Sequence, residues 1–477
     1  MIEGSIFKRL GPCVFVILSL VGFAPCATAR AANGSAPEPV SPAVDPSDHM
    51  PAPGRFLGVQ QAVEAAIKHH PALHVAMANQ RAAEARTGQA RSLYYPQIYA
   101  DFVAAGGAAG VNPRFVSPAG ALLRPNLGQY VGGVIANQRL YDFGYTNAIV
   151  ESADLAASAQ IQNFEAQQSL VVYAVQRAYF DSLKRRQLVE IAEETIKQRG
   201  VIKSQVETLY RQQLKSKLDL NLVQVELTNA ESALVRARNN LKASFAELNR
   251  AMGLPGENEY ILEDVIVEVD QPAGLPSLIQ QSLTHPELKR AREQARSAEA
   301  KLTASKKQYL PTISAVGSAG DYQLFDRDPS QRTGGWWAAS ATVSFPLFTG
   351  GLIDGQIREA MAQLTAAQAQ ASAIEQTLTQ QVTNAYLDTV TFIQQIKLAK
   401  EQVQTAMEAL HLSQQRYKLG LGSIVEVTQS EVALTAAETR LAEAQFDYKI
   451  ADLTLAYSAG IMTAPSTSEA ALPPRLN

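Results

Sequence analysis

Two histidines one helical turn apart are the first residues in the sequence that could do chemistry. His70 and His74 are spaced i, i+4, so on a helix they would share one face, as a metal site requires. No acidic or cysteine partner lies nearby, and Pro71 distorts the turn between them. A structural or surface role is therefore favoured for both. The sequence also lacks a Ser-His-Asp pattern, a glycine-rich phosphate loop and an HExxH motif, so we expect no enzyme, no cofactor and no metal site.

The second candidate group surrounds a break in a helical pattern, in the stretch RYKLGLGSIVEV. The pattern stops at residues 420–422 and restarts at Ser423, with Tyr417 before the break and Glu426 one turn after it. An earlier stretch, LYRQQLKSKLDL, aligns with this one and places Asp219 opposite Glu426. An acid in the first turn of a helix complements the helix dipole, which is a purely structural role. In a closed oligomeric tube, the same acids would form a ring that selects for cations. The sequence leaves both interpretations open.

Heptad repeats predict that each break is the tip of an antiparallel helical hairpin. Large residues recur every seven positions after the later break, and small residues fill the complementary heptad position, which lets two helix axes approach closely. The large residues are Val427, Leu434, Leu441, Tyr448 and Leu455, and the small ones are Ser430, Ala437, Ala444, Ala451 and Ser458. Leu220, Leu227, Leu234, Leu241 and Leu248 give the earlier hairpin the same pattern.

The two hairpins belong to an internal duplication. The pairs Tyr179/Tyr386, Tyr210/Tyr417 and Gly253/Gly460 all differ by 207 positions, and the pairs Pro71/Pro286 and Pro96/Pro311 differ by 215. So many landmarks at fixed offsets indicate two copies of one unit of roughly 210 residues. We place the first copy at residues 57–276 and the second at 277–461.

Helix lengths predict how each copy is arranged. Residues 146–211 and 356–419 read as helices of about 95–100 Å, at about 1.5 Å per residue. The helices predicted at 59–93, 217–252, 276–309 and 424–459 are about half as long, and the first is expected to kink or break near His70. One long helix therefore spans two short ones, with both strand pairs at one end and both tips at the other. The run Ile261 to Val269 is expected to form a small α/β belt at the joint, together with part of the C-terminal tail.

Four segments read as β-strands, two in each copy. The clearest runs from Trp337 to Leu347, where apolar residues alternate with small polar ones, as in an outer-membrane barrel strand. A soluble sheet with one wet face would give the same pattern. Four strands cannot close a barrel around a pore, since the smallest such barrels need about eight. The strands must therefore be pooled between chains, and three chains would supply twelve.

The N-terminus predicts export. Lys8 and Arg9 precede an apolar run, and an Ala-Thr-Ala cleavage site ends at Ala29, so residues 1–29 read as a signal peptide. Cleavage there removes both cysteines, and acylation at Cys26 is disfavoured because Pro25 precedes it. Residues 30–56 form a proline-rich lead-in, and residues 462–477 form a C-terminal tail. The net charge of −3 argues against nucleic acid as a partner.

Several motifs together make the chain resemble the TolC-like outer membrane efflux family over nearly all of the mature sequence. They are HPALHVA and HPEL, YYPQI and YLPTI, LYDFG and LFTGG, the tip motif RYKLGLGSIVEVTQSEVAL, and AYSAGI. The resemblance implies a mainly α fold with a transmembrane β portion. Long antiparallel hairpins would form a trimeric α-barrel in the periplasm, and four strands per chain would contribute to a 12-stranded β-barrel in the outer membrane. The implied function is the exit duct of a tripartite efflux or type I secretion system, fed by an inner-membrane transporter and a periplasmic adaptor.

The resemblance also assigns roles to residues at the tips. In the family, a tyrosine on the inner hairpin bonds an aspartate on the neighbouring outer hairpin and holds the periplasmic end shut; Tyr417 and Asp219 match these positions, and Glu426 matches an acidic ring. The adaptor is expected to dock at Gly420, Leu421, Gly422, Ser423, Lys215, Ser216 and Lys217.

Three positions depart from the family pattern. Gly422 stands where the member that names the family has an arginine in the gate network, and Gln429 stands where it has a second acid. Gln213 replaces the usual glycine of the first tip. A looser, less cation-selective gate is therefore expected. The alternative to a duct is a periplasmic coiled-coil scaffold without a pore.

Overall fold

The computed structural model describes residues 56–105, 115–116, 122–123, 128–256, 258–325 and 332–462. The predicted signal peptide, nearly all of the lead-in and all of the tail but Met462 lie outside the described residues.

Long helices dominate the described chain, as the heptad patterns predict. The helices are α1 Val59–His69, α2 Pro71–Arg91, α3 Tyr145–Arg211, α4 Lys217–Met252, α5 Leu275–Ser282, α6 Pro286–Lys307, α7 Leu352–Lys418 and α8 Ile424–Ser458. The helices α3 and α7 have 67 residues each, which corresponds to about 100 Å. The prediction of two very long helices, each followed by a helix about half as long, is confirmed.

In each copy, a His-Pro pair divides the helical stretch that precedes the first long strand into two helices. The break at His70 between α1 and α2 was expected, but the single helix predicted over 276–309 is wrong, because α5 ends at Ser282 and α6 begins at Pro286. Proline has no N–H and its ring clashes with the preceding turn, so it suits the first position of a helix and not its interior. In both copies the histidine is the N-cap: Nδ1 of His70 accepts from the Ala72 N–H and Nδ1 of His285 from the Glu287 N–H, each at 3.2 Å.

The glycine that ends each return helix packs against the His-Pro pair of its own copy. Gly253 and Gly460 both adopt positive φ, of 73° and 72°. A Cβ on Gly253 would lie 2.7 Å from Cα of His70, and one on Gly460 would lie 3.2 Å from Cα of His285. Glycine is therefore required here both by backbone conformation and by close approach. These contacts join the end of α4 to the start of α2, and the end of α8 to the start of α6.

A four-stranded antiparallel sheet unites the two copies. The strands of the chain are β1 Phe56–Leu57, β2 Gln97–Ala105, β3 Phe115–Val116, β4 Leu122–Leu123, β5 Gly128–Tyr141, β6 Ile261–Leu262, β7 Thr312–Phe325 and β8 Arg332–Ser344. The order in the large sheet is β2-β5-β7-β8, so the central pairing of β5 with β7 joins one copy to the other. One row of partners runs Ala100, Val134, Ala319 and Trp337 across all four strands.

Two strand predictions need correction. The strand β8 ends at Ser344, so Phe345 and Leu347 lie beyond it, in the segment that carries Pro346. Proline has no N–H to donate to a strand ladder, which accounts for the early end. The region between β2 and β5 also contains the short antiparallel pair β3–β4, which is not among the four strands predicted from the sequence.

The described part of the expected belt is smaller than predicted, and the contribution expected from the C-terminal tail lies outside the described residues. Only Ile261 and Leu262 form a strand, and they pair in parallel with Phe56 and Leu57. The buried Tyr179 hydroxyl lies 2.9 and 3.1 Å from the carbonyl oxygens of Leu57 and Glu263 and ties this pair to α3. The Tyr448 hydroxyl holds the following extended segment to α8, since it accepts from the Asp270 N–H at 2.9 Å and donates to the Asp270 carbonyl at 3.0 Å. Side-chain hydroxyls thus replace most of the predicted strand pairing.

Helix packing gives one layer of neighbouring helices in each half of the structure. In the half that contains the tips, the order is α4, α3, α8, α7; in the half next to the sheet, it is α2, α3, α6, α7. The helix α3 is central in both halves, and α7 is at one edge of both. This arrangement positions the two tips side by side.

Candidate functional site at the hairpin tips

The two tip loops have the same backbone conformation. In the second tip, residues 419–423, Gly420 has φ 75°, and the Leu421 N–H donates to the Arg416 carbonyl at 2.9 Å. In the first tip, residues 212–216, Gln213 has φ 61°, and the Leu214 N–H donates to the Leu209 carbonyl, also at 2.9 Å. The first tip therefore has a residue in the left-handed conformation that is not glycine. This conformation is strained for any residue with a Cβ.

The residues after each tip cap the returning helix. Ser216 and Asp219 form a reciprocal capping box, in which the Asp219 carboxylate accepts from the Ser216 N–H at 3.1 Å and Ser216 Oγ accepts from the Asp219 N–H at 3.2 Å. In the second tip only half of this device is present, since Ser423 Oγ accepts from the Glu426 N–H at 3.3 Å. Asp219 thus has the structural role that its position near a helix start allows, while the Glu426 carboxylate is available for other contacts.

Tyr417 is where the two tips meet. Its ring packs on an apolar cluster of α3, α4, α7 and α8 that includes Val206, Val223 and Leu410. Lys215 of the first tip places its ammonium 4.2 Å from the ring centroid, within the range of a cation–π contact. The Tyr417 hydroxyl is buried and has no hydrogen-bond partner among the described residues. Burial raises the pKa of this hydroxyl, and the negative charge of Asp219 raises it further.

The structure therefore brings Tyr417, Asp219 and Lys215 together, but the described residues do not include a hydrogen bond between Tyr417 and Asp219. The carboxylate of Asp219 is engaged by the capping box, and the hydroxyl of Tyr417 remains without a partner.

Glu426 forms an ion pair that the sequence did not predict. Arg416 Nε lies 3.6 Å from Glu426 Oε2, and Arg416 Nη2 donates to the Leu421 carbonyl at 3.3 Å. A Cβ added to Gly422 would lie 3.1 Å from the same Glu426 oxygen and 3.2 Å from Arg416 Cβ. Gly422 thus leaves room for a cation–carboxylate contact across the tip. The only signal in the sequence was a basic residue one turn before Gly420.

Both tips expose apolar side chains at equivalent positions. Leu214 and Leu421 are 66% and 70% exposed, and Leu218 and Val425 are 65% and 44% exposed. Each pair differs by 207 positions, so the duplication preserves the feature. The other residues assigned to docking, Ser216, Lys217, Gly420 and Ser423, are also exposed, while Lys215 and Gly422 are half-buried. Paired apolar residues at an exposed end are typical of a protein-binding surface.

The described residues contain neither a candidate metal site nor a helix that could span a membrane. They include no group of three or more His, Cys, Asp or Glu placed to hold a metal ion. His70, one of the two candidate ligands, uses Nδ1 as the cap of α2. Among the helices that the structure describes, none is both long and apolar enough to cross a bilayer.

Comparisons with known proteins agree with one another. The model of the family described as "Outer membrane efflux protein" matches residues 62–254 and 278–460. The outer membrane protein TolC of Salmonella enteritidis is 23% identical over 434 residues, which cover 85% of this chain and 82% of the relative. The outer membrane efflux protein BepC of Brucella suis is 22% identical, with 84% of each chain covered.

Solved structures show the same fold. A structure of CusC superposes with a TM-score of 0.73 at 20% identity, covering 87% of this chain and 95% of that one. The outer membrane protein VceC from Vibrio cholerae gives 0.71 at 19% identity, covering 84% and 96%. Because the family match extends over most of the sequence and falls on both hairpins, the chain belongs to the outer membrane efflux protein family.

Proposed function

We propose that three copies of this chain close into a continuous duct, with a helical barrel in the periplasm and a 12-stranded barrel in the outer membrane. As a member of its family, the chain is an outer-membrane exit duct for efflux. In the proposal the duct is passive, and an inner-membrane transporter and a periplasmic adaptor deliver its substrates.

The observation that carries the proposal is that the described sheet and the described helix layer each end in an edge on two sides. In the large sheet, β2 pairs only with β5 and β8 only with β7, so a 9-residue and a 13-residue strand each keep a free side among the described strands. The helix layer likewise ends at α7 on one side and at α4 and α2 on the other. A long exposed strand edge presents N–H and C=O groups that can pair with a strand of another chain. Joining β8 of one copy to β2 of the next satisfies both edges, and such head-to-tail contacts generate a ring when the rotation closes.

Exposed apolar side chains support a lipid-facing surface on the sheet. Ile98, Val134 and Trp337 lie on one face and are 65%, 48% and 81% exposed in the single chain. On the opposite face Val131 and Ile135 are buried. A tryptophan and branched apolar residues exposed on one face fit the surface of a membrane barrel.

Exposed apolar residues also mark the edges of the helix layer. Leu387, Leu398 and Met407 of α7 are between 54% and 57% exposed, and Val225 and Val235 of α4 are 56% and 60% exposed. In the proposed ring, α7 of one copy packs against α4 of the next, and these side chains become buried.

At the periplasmic end, we assign Tyr417, Asp219 and Glu426 to the gate. The buried hydroxyl of Tyr417 has no partner among the described residues, and the charge of Asp219 lies close enough to raise its pKa. Three copies would bring three Glu426 residues around the axis, each already paired with Arg416. This pairing supports a gate less cation-selective than an unpaired acidic ring.

The exposed tips are the proposed docking surface for the adaptor. The surface comprises Lys215, Ser216, Lys217, Gly420, Leu421, Gly422 and Ser423, flanked by the exposed apolar residues of both tips. A photo-crosslinker at Leu421 should capture a periplasmic adaptor protein, whereas the same group at Arg296, which is exposed on α6 in the half next to the sheet, should not. Equal capture at both positions would remove the tips from the docking surface.

Planar-bilayer conductance tests the duct and its gate together. We expect purified protein to form heat-resistant trimers and channels, and the double variant Tyr417→Phe, Asp219→Ala to raise single-channel conductance. Ser216→Ala is the matched control, because it breaks the same capping box and leaves both gate residues in place. If the control raises conductance as much, the effect comes from the helix cap and not from the gate. A soluble periplasmic monomer would favour the scaffold alternative.

A further inference from the structure

A buried carboxyl group lies between the two hairpins, a short distance from the tips. Glu431 of α8 is 5% exposed, and its Oε1 has no hydrogen-bond partner among the described residues. Glu431 lies in the second turn of α8, near the apolar cluster of Ile424, Val427 and Leu434. Burial of a carboxyl oxygen without a partner penalises the charged form and so favours the neutral one.

The positive charge beside Glu431 is already neutralised. Arg199 of α3 is 8% exposed; its guanidinium lies 3.2 Å from the Glu226 carboxylate and donates to the Glu226 carbonyl at 2.5 Å. The Nε of Arg199 is buried without a partner and makes no hydrogen bond to Glu431. With Glu431 protonated, this three-residue cluster is neutral. Loss of the proton leaves one net negative charge between the hairpins.

Two charged groups act on Glu431 within the part of the chain that the structure describes, and only one of them is positive. The charged groups that act on its carboxyl are Arg199 from α3 and Glu226 from α4. The helix α7 contributes apolar side chains to the adjoining cluster, namely Val403, Ala406 and Leu410. Burial raises the pKa of Glu431 to about 7; Arg199 opposes this rise, and Glu226 adds to it.

We propose that Glu431 is a proton-responsive contact between the hairpins of one chain: its neutral form lets α8 pack on α3 near the tips, and its ionised form loosens that packing. Arg199 and Glu226 set the pH at which this change takes place. The effect on the duct rests on the proposed function, because loosened hairpins would widen the periplasmic end. The packing effect itself does not depend on that function.

The direction and size of the effect follow from linkage. Glu431 has a higher pKa when packed, about 7, than its ordinary value of 4.5. The packed state therefore binds more protons between these values, and its advantage is greatest below pH 4.5, falls as the pH rises, and levels off above pH 7. If a loosened Glu431 titrates at its ordinary value, the ratio of loosened to packed hairpins rises by up to 10 to the power 2.5, or about 300-fold.

Two variants test the cluster, and they are expected to differ: one abolishes the pH dependence and the other moves it. Glu431→Gln fixes a neutral side chain, so packing should become independent of pH at this site. Glu226→Gln frees Arg199 to pair with Glu431, so the transition should move to lower pH. Glu443→Gln removes an exposed carboxyl from the same helix and is the control that should leave the transition unchanged.

Three measurements on the full-length protein in detergent or bilayers give the readouts, each from about pH 5 to about pH 9. Infrared difference spectra should show a carboxylic-acid C=O band that disappears near pH 7 in the wild type and is missing in Glu431→Gln. The melting temperature of the wild type should fall relative to that of Glu431→Gln across the same interval. Single-channel conductance of the wild type should rise over the same pH range in which its melting temperature falls.

The outcomes distinguish failure of the proton-responsive contact from failure of the duct proposal. If the infrared band and melting behave as expected but no channel forms, the duct proposal fails and the proton-responsive contact stands. A wild-type band that does not titrate, a transition that survives in Glu431→Gln, or an unshifted midpoint in Glu226→Gln would overturn the inference, whether or not the protein conducts.

Discussion

The first tip should become more stable when Gln213 is replaced by glycine. Gln213 has φ 61° and is one of two non-glycine residues with positive φ among those the structure describes. Its counterpart in the second copy, Gly420, adopts φ 75° in a loop with the same hydrogen bonds. The side chain of Gln213 is exposed, so its removal breaks no packing. The substitution therefore acts on the backbone alone.

The expected magnitude follows from two opposing effects. A left-handed conformation costs a residue with a Cβ about 1–2 kcal/mol, which glycine avoids. Glycine also has more freedom in the unfolded chain, which takes back about 0.4–1 kcal/mol. The net gain is roughly 0.5–1 kcal/mol of local stability, equivalent to about a two- to fivefold change in an equilibrium constant.

Amide hydrogen exchange is the suitable assay, because the effect is local and a global melt of so large a protein would dilute it. The Leu214 amide donates to the Leu209 carbonyl only while the loop is formed. Its exchange, corrected for the intrinsic rate of each sequence, should slow about two- to fivefold in Gln213→Gly. Exchange at the second tip should not change.

The neighbouring residue provides a control with the opposite sign. Gln212 has φ −81°, which any residue adopts easily, so Gln212→Gly should destabilise the loop by about 0.4–1 kcal/mol and speed exchange. If Gln213→Gly also speeds exchange, Gln213 does not occupy the left-handed region and the reasoning about this loop is wrong.

Three further predictions concern the gate and the joints. Arg416→Gln should shift the reversal potential of reconstituted channels toward cations, because it leaves Glu426 unpaired, while Arg211→Gln, which removes a charge paired along its own helix, should not. His285→Ala should lower the free energy of unfolding by about 1–2 kcal/mol, measured in denaturant, because the buried cap of α6 is lost, and His285→Asn should retain part of it. Gly253→Ala should lower the melting temperature, since φ is 73° and the new Cβ would lie 2.7 Å from a backbone atom, at a conformational cost of about 1–2 kcal/mol; an unchanged value would contradict the close approach.

Periodicity and duplication made most of the fold predictable. The range predicted for α4, 217–252, agrees with the structure at both ends, because Ser216 provides a clear N-cap and Gly253 a clear end. The two long helices contain no proline that would end them, and their predicted bounds agree to within a few residues. Placing both strand pairs at one end did not specify which strands pair, and the pairing of β5 with β7 comes from the structure.

The predictions are wrong at two kinds of position. At one, the rule that proline ends a helix was applied to only one copy; at the other, tertiary packing determines the structure. The sequence predicts a break at Pro71 but a continuous helix through Pro286, although the two prolines stand at equivalent positions of the duplication. The extent of β6 could not be inferred, because hydroxyl groups of Tyr179 and Tyr448 hold that segment in place of a strand ladder. Tyr179 lies 84 positions before Glu263, whose carbonyl its hydroxyl contacts, and no pattern near β6 encodes this contact.

The candidate site was predictable in position but not in chemistry. The glycine loop and the alignment of Asp219 with Glu426 located both tips. The contacts of Lys215 with Tyr417 and of Arg416 with Glu426 depend on how two loops pack side by side, which spacing along one chain does not specify. The choice of Asp219 as a cap also depends on the rotamer of Ser216, which the sequence permits but does not impose.

The polar cluster at Glu431 shows that the two copies have diverged at one interface. At the 207-residue offset, the counterparts of Arg199, Glu226 and Glu431 are Ala406, Ala433 and Gln224, none of which is charged. In the proposed ring, α3 meets α8 within a chain, and α7 meets α4 of the next chain at the equivalent contact. The ionisable cluster therefore lies only within chains, and the contact between chains is neutral at this level. A rise in pH through 7 should loosen the hairpins of each chain without dissociating the trimer, because no buried carboxyl of this cluster lies between subunits. Native mass spectrometry across this pH range would detect a loss of trimer, which would contradict the assignment of the cluster to the interior of each chain.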